Sequence, residues 1–319
     1  MSHNELRKIL KTKHLPLFDI LIKNNEIIAS KKFADAISVI NGKEELDKSQ
    51  EGNKFDKILV INILDHLKQL NILSFNAADI CIKFVLKDNS KCELFEYNSG
   101  NAQNRITNLL YLGNNSKAKI NLFNYQQNSD SEIKYSTVMG INSEVIFNSI
   151  YTGGTRTVAK NIFDSNLNSS IEINGLIIGN NNQKFDINSS ITNHKSDSKN
   201  NIKYKTIMSG DSICFLKSMS KVFKNAKNST VHINHKGIIN NNAKIHSMPF
   251  MIIKEKEVNA THSSSVYKLG DDAKFYMECR GISKHDINKF VIKEFAFSDL
   301  KHEYADNYEF VEEEIIKMI

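Results

Sequence analysis

Five short stretches of this chain share one pattern: an Asn or Asp, then a Ser, then apolar residues at every second position. NSKAKINLF begins at residue 115, NSEVIFNSI at 142, NSSIEINGL at 168, DSICFLKSM at 211 and NSTVHINHK at 228. A period of two sends one row of side chains to one face, as in a half-buried strand. Asn and Asp tolerate a left-handed backbone and bond their own chain two residues on, so they suit corners. A flat sandwich would bury such rows. Many short strands, Asn-rich corners and uneven intervals fit a coil better, one whose rungs bury one another's apolar rows. The pattern predicts a mainly β chain with a β-helix, or solenoid, core over residues 76–268.

The flanks read differently. Residues 1–75 form a mixed, partly helical N-terminal region, with SKKFADAISVI its best amphipathic piece and KFDKILVINILDHLKQ ambiguous between strand and helix. Residues 269–319 switch to a helical period. DDAKFYMECRG opens on Asp271 and closes on Gly281, as a capped helix does. Ser283 and Asp286 open a second helix, with Ile287, Phe290, Val291 and Phe295 on one stripe. The tail places Phe310, Val311, Ile315 and Met318 opposite its acids, which makes the last helix a docking candidate.

Composition removes several classes of function. Lys and Arg total 42 against 36 acids, but Arg stands only at Arg7, Arg105, Arg156 and Arg280. Base readout and phosphate forks favour Arg, and the basic residues form no track, so nucleic acid is not an expected partner. No apolar run reaches the length of a membrane span. The opening MSHNELRKILKTKHLPLFDI has no apolar core before a cleavage site, so a cytoplasmic location is expected. Cys81, Cys92, Cys214 and Cys279 lie far apart and read as reduced thiols. Cys279, inside FYMECRG, reads as a packing residue. No phosphate loop, HExxH, GxSxG or HxE…CxxC pattern occurs, so the chain is not expected to be an enzyme.

Histidines remain. His194, His232, His235 and His246 lie in the β region, and His232 and His246 read as ordinary strand residues. His262, in NATHSSS, is flanked by Thr261, Ser263, Ser264 and Ser265, which leave its ring accessible and could fix its tautomer.

NATHSSSVYKLGDDAKFYMECRGI (259–282) resembles the C-terminal signature of the SufD family, scaffold subunits of the Suf iron–sulfur cluster assembly complex. The matching residues are His262, Val266, Leu269, Asp271, Asp272, Phe275, Tyr276, Arg280, Gly281 and Ile282. Upstream, IEINGLIIGNNNQKFD, with Gln183 and Asp186, is similar to a family element, as are Tyr204-Lys205, Gly210, Asn234 and Pro249. The resemblance spans roughly residues 105–300. The chain departs from the family at Ala260, where a cysteine is usual, and at Ser263–Ser265, where Gly-Ala-Thr is usual. The paralogous SufB family carries glutamates on both sides of the aligned histidine; Thr261 and Ser263 stand there, which favours SufD.

The resemblance implies a right-handed parallel β-helix flanked by helical segments. It implies pairing with a SufB-like paralogue and docking of a SufC-like ABC ATPase by the C-terminal helices, through Phe275, Tyr276, Arg280, Gly281, Phe290 and Phe295. A cysteine desulfurase system is implied indirectly as the source of sulfur. It implies no cofactor held tightly by this chain alone, only transient iron or an iron–sulfur cluster at the partner interface, with His262 as the ligand. A SufB-type scaffold, a carbohydrate-active solenoid or a purely structural one are the alternative readings.

Overall fold

The computed structural model describes residues 19–29, 37–41, 55, 57–63, 69–268, 270–283, 286–287, 290, 293–296, 298 and 312. The first five strands are β1 (Ile20–Lys23), β2 (Glu26–Ala29), β3 (Ile37–Asn41), β4 (Lys57–Ile63) and β5 (Gln69–Phe75). They are followed by β6 (Ile80–Leu86), β7 (Lys91–Gly100), β8 (Asn104–Leu112), β9 (Lys117–Gln126), β10 (Ser131–Val138), β11 (Glu144–Gly153) and β12 (Arg156–Ser165). The last seven are β13 (Ser170–Gly179), β14 (Lys184–Asn193), β15 (Lys199–Met208), β16 (Ile213–Val222), β17 (Ser229–Ile239), β18 (Lys244–Ile253) and β19 (Val258–Lys268). One helix, α1 (Asp271–Cys279), comes next.

From β4 onward the strands alternate between two sheets. One runs β5-β7-β9-β11-β13-β15-β17-β19 and the other β4-β6-β8-β10-β12-β14-β16-β18, each strand parallel to its neighbours. This is a parallel β-solenoid of about eight turns, each rung one strand from either sheet. The predicted β-helix is the fold.

The Asn-Ser repeat is a corner device. Asn89, Asn115, Asn142 and Asn168 all adopt positive φ, 51° to 61°. Their amides stack: Asn115 donates to Asn89 (3.1 Å), Asn142 to Asn115 (3.0 Å) and Asn168 to Asn142 (2.9 Å). The following serines close each turn, with Ser116, Ser143 and Ser169 donating to the carbonyls of Gly113, Gly140 and Asn166 at 2.6–2.7 Å. Asp211-Ser212 sits at the opposite corner, where Ser212 donates to Ser209 O. The uneven intervals of the repeat thus come from two corners of one coil.

Each rung buries alternate residues in one core. Interior columns are apolar at most places but carry a polar seam. Glu96 accepts from Tyr135 and from Asn108 Nδ2 (3.2 Å) inside the coil. Burial pushes its carboxyl up to about 8. Further along, Asn161 lies among Tyr151, Ser189 and Tyr204, and the Tyr204 ring covers Gly175 so closely that a Cβ there would lie 1.9 Å from Cε1.

The N-terminal region differs from the helical reading where it is described. Ile37–Asn41, the end of the amphipathic stretch, is β3, antiparallel to β4. KILVINI within the ambiguous stretch is β4 itself, and β4 and β5 already belong to the coil. An open strand edge supplies backbone partners that outweigh local helix propensity. β1 and β2 form a hairpin on Asn24-Asn25, both at positive φ as a tight hairpin turn requires. Residues 1–18 lie outside the described residues.

The C-terminal segment returns to the coil. Ile287 and Ala296 are buried, Lys205 on β15 donates to Ser298 Oγ (2.5 Å), and its ammonium lies 5.5 Å from the Phe295 ring centre. Among the described residues no helix is long and apolar enough to cross a membrane.

Candidate functional site

His262 lies on β19, the last strand of its sheet. Following the register back from rung to rung, its column holds Ile233, Ile202, Ile173, Phe147, Ile120 and Leu94. All six are at most 1% exposed. His262 takes the seventh place, yet it is exposed, because among the described residues no strand pairs with the free edges of β18 and β19. The imidazole therefore stands in the open mouth of the coil, at a position that would be core if another rung followed.

On the inward face that His262 shares, Val266 and Ile253 are each 42% exposed. Tyr267 and Met248, one residue out of step, face outward and are 53% and 46% exposed. Exposed apolar side chains beside strand edges that have no partner among the described residues are features that association surfaces share.

The flanking hydroxyls do not serve the His262 ring as expected. Thr261 faces outward and lies 2.6 Å from Nδ1 of His232. Ser264 faces inward and lies 2.8 Å from Ser247 Oγ on β18. Among the described residues no hydrogen bond to the His262 ring is recorded. Side chains at i and i+1 on a strand point to opposite faces, so Thr261 and Ser263 cannot share the histidine's side. His232 thus has a partner on β19, and His246 stacks on Phe215 with centroids 4.6 Å apart.

The helical residues separate into two groups. In α1, Phe275 is 67% and Tyr276 58% exposed, and the Arg280 guanidinium lies 4.8 Å from the Tyr276 ring centre. Gly281 takes φ +85° and donates to Glu278 O, closing the helix as expected. At the other end the N-cap is Gly270, with no side-chain cap, rather than an acid. Ser283 caps the next turn through the Asp286 amide (3.2 Å). Phe290 is 49% exposed, whereas Phe295 turns inward against Lys205. Val291 and the tail, apart from Glu312, which pairs with Lys293 at 3.1 Å, lie outside the described residues.

The cysteines divide likewise. Cys81, Cys92 and Cys214 are buried, and burial pushes each thiol up, the first two to about 12. They are poor thiolate donors. Cys279 is exposed, not packed, because the α1 face that carries it has no element over it among the described residues.

The fold is thus a two-sheet parallel solenoid with His262 on the last of its described rungs. The family described as SUF system FeS cluster assembly, SufBD core domain, matches residues 78–295. The chain belongs to that family, and its role lies in iron–sulfur cluster assembly. No curated protein shows significant similarity to it.

Proposed function

We propose that the chain is a SufD-type, non-catalytic scaffold. Its open C-terminal end pairs with a SufB-like paralogue, and His262 offers nitrogen to iron or to a nascent cluster at the seam. One observation carries this reading: an imidazole occupies the seventh place in a column of six buried apolar residues, on a rung with free edges. Such a ring is useful only when a second subunit covers it. Imidazole is a good borderline ligand for iron, and thiolate the usual ligand of clusters. The core thiols of this chain are held protonated, and Ala260, beside the site, stands where a family cysteine is usual, so in this reading the partner supplies sulfur, delivered indirectly by a cysteine desulfurase system. Thr261 and Ser263 beside His262 favour the SufD type over the SufB type.

Val266→Asp tests the pairing. Val266 points inward from the last rung and is exposed in the single chain, so the variant should melt like its parent. A carboxylate buried at the seam should weaken capture of the SufB-like partner about tenfold. Undiminished capture would place the seam elsewhere.

The same reading assigns α1 to the SufC-like ATPase. Exposed aromatics beside an Arg are typical anchors of an interface. Phe275→Ser with Tyr276→Ser should reduce ATPase capture by about tenfold in a pull-down while leaving the coil intact. A chain ending at 268 should also fail, but it would additionally strip Ile287 and Ala296 from the sheet, so the double substitution is the cleaner test. Full retention by the double variant would sink the assignment.

A further inference from the structure

We propose that His235, a residue with no assigned role, is a positioning residue for the rim that carries His262, an inference that rests on the function proposed above. His235 lies on β17, inside the coil and 1% exposed, directly beneath Ser264 in the register. Both of its ring nitrogens are used. Nε2 lies 2.8 Å from Ser218 Oγ on β16, and Nδ1 lies 2.8 Å from Ser247 Oγ on β18. Ser247 in turn lies 2.8 Å from Ser264 Oγ on β19. One imidazole therefore joins strands of both sheets and holds Ser247, whose own bond to Ser264 ties the two edge strands to each other, two residues from His262.

The chemistry suits a fixed strut. Burial lowers the His235 pKa to about 4, so the ring is neutral at pH 7. A neutral ring donates at one nitrogen and accepts at the other, and the rotatable hydroxyls suit either tautomer. The Tyr204 ring stands edge-on at 6.0 Å and restricts the imidazole from the rung below. Among the described residues ladder bonds hold β19 on one side only, so a lateral tie matters more there than on any inner rung.

Two measurements test this on the full chain. In the free protein, His235→Phe should speed amide exchange over residues 258–268 about tenfold, the effect of losing the lateral tie. In the complex with SufB-like and SufC-like partners, the same variant should lower cluster yield per assembled complex about fivefold. His235→Gln, whose amide both donates and accepts, should behave like the parent in both; a residue that merely fills space would not be rescued in this way. Ser247→Ala cuts the tie beyond His235 and should reproduce His235→Phe, which keeps the test decisive if the latter folds poorly. Parental exchange in both cutting variants would overturn the inference, and so would a failure of His235→Gln to rescue. A parental yield from His235→Phe in a complex where His262→Ala lowers the yield would also overturn it. If instead His262→Ala leaves the yield unchanged while His235→Phe still frees residues 258–268, the cluster role of His262 falls and the positioning role stands.

Discussion

If the proposed role holds, replacing His262 by alanine should lower the yield of iron–sulfur cluster on the assembled complex by about a hundredfold, the upper range for disturbing a metal site. It should do so without unfolding anything. The ring is exposed, makes no recorded hydrogen bond among the described residues and contributes nothing to the interior column that ends beneath it at Ile233. The thermal midpoint of the variant should therefore match the parent. Capture of the SufB-like partner should survive, because the inward apolar residues Val266 and Ile253 are untouched. Quantifying cluster by its visible absorption per purified complex, beside the melting curve, separates loss of a ligand from loss of a fold. An unchanged yield would remove His262 from the chemistry.

Glutamate 96 carries the other large effect. Its carboxyl is enclosed by the coil, bonded to Asn108 and Tyr135, and pushed up to about 8 from an ordinary value of 4.5 by burial. An acid whose pKa is higher in the folded chain makes the native state bind the extra proton. Stability contributed by the neutral form is full below pH 4.5 and is lost as pH rises through about 8. The Glu96 contribution to the unfolding free energy should fall by up to about 1.4 kcal/mol per pH unit in that window, about 5 kcal/mol in all. Glu96→Gln keeps the shape and a partner for both groups without a titrating proton. Its urea midpoint should be flat from pH 6.5 to 8, above the range in which the buried His235 adds its own pH dependence, and exceed the parent's at pH 8. A parent curve as flat as the variant's would show that Glu96 is hydrated in the folded chain.

The coil was legible because its corners and its rows obey separate rules. Asn115, Asn142 and Asn168 announce left-handed corners, and the alternation that follows announces an inward row. Spacing alone could not reveal that Asp211 belongs to the opposite corner, which is a matter of rung length. The strand at Ile37–Asn41 was hidden because its pairing with β4 is a contact made in three dimensions. His262 was found by its motif, but its surroundings were misjudged. The hydroxyls adjacent in sequence face other ways, and period-two counting shows why. The same counting would have placed His235 on the inward face of its strand. What it could not supply is the register that sets Ser264 above it and Ser247 across from it.

The two ends of the coil are unequal. At the N-terminal end the antiparallel pairs β1–β2 and β3–β4 extend both sheets, whereas among the described residues β19 leans on a single neighbour. In a one-dimensional stack each rung is stabilised by its flanks, so the rung with one flank opens first. Heat, denaturant or a pulling force should peel this molecule from its C-terminal end toward its N-terminus. The rung that carries His262 would then be the first to be lost.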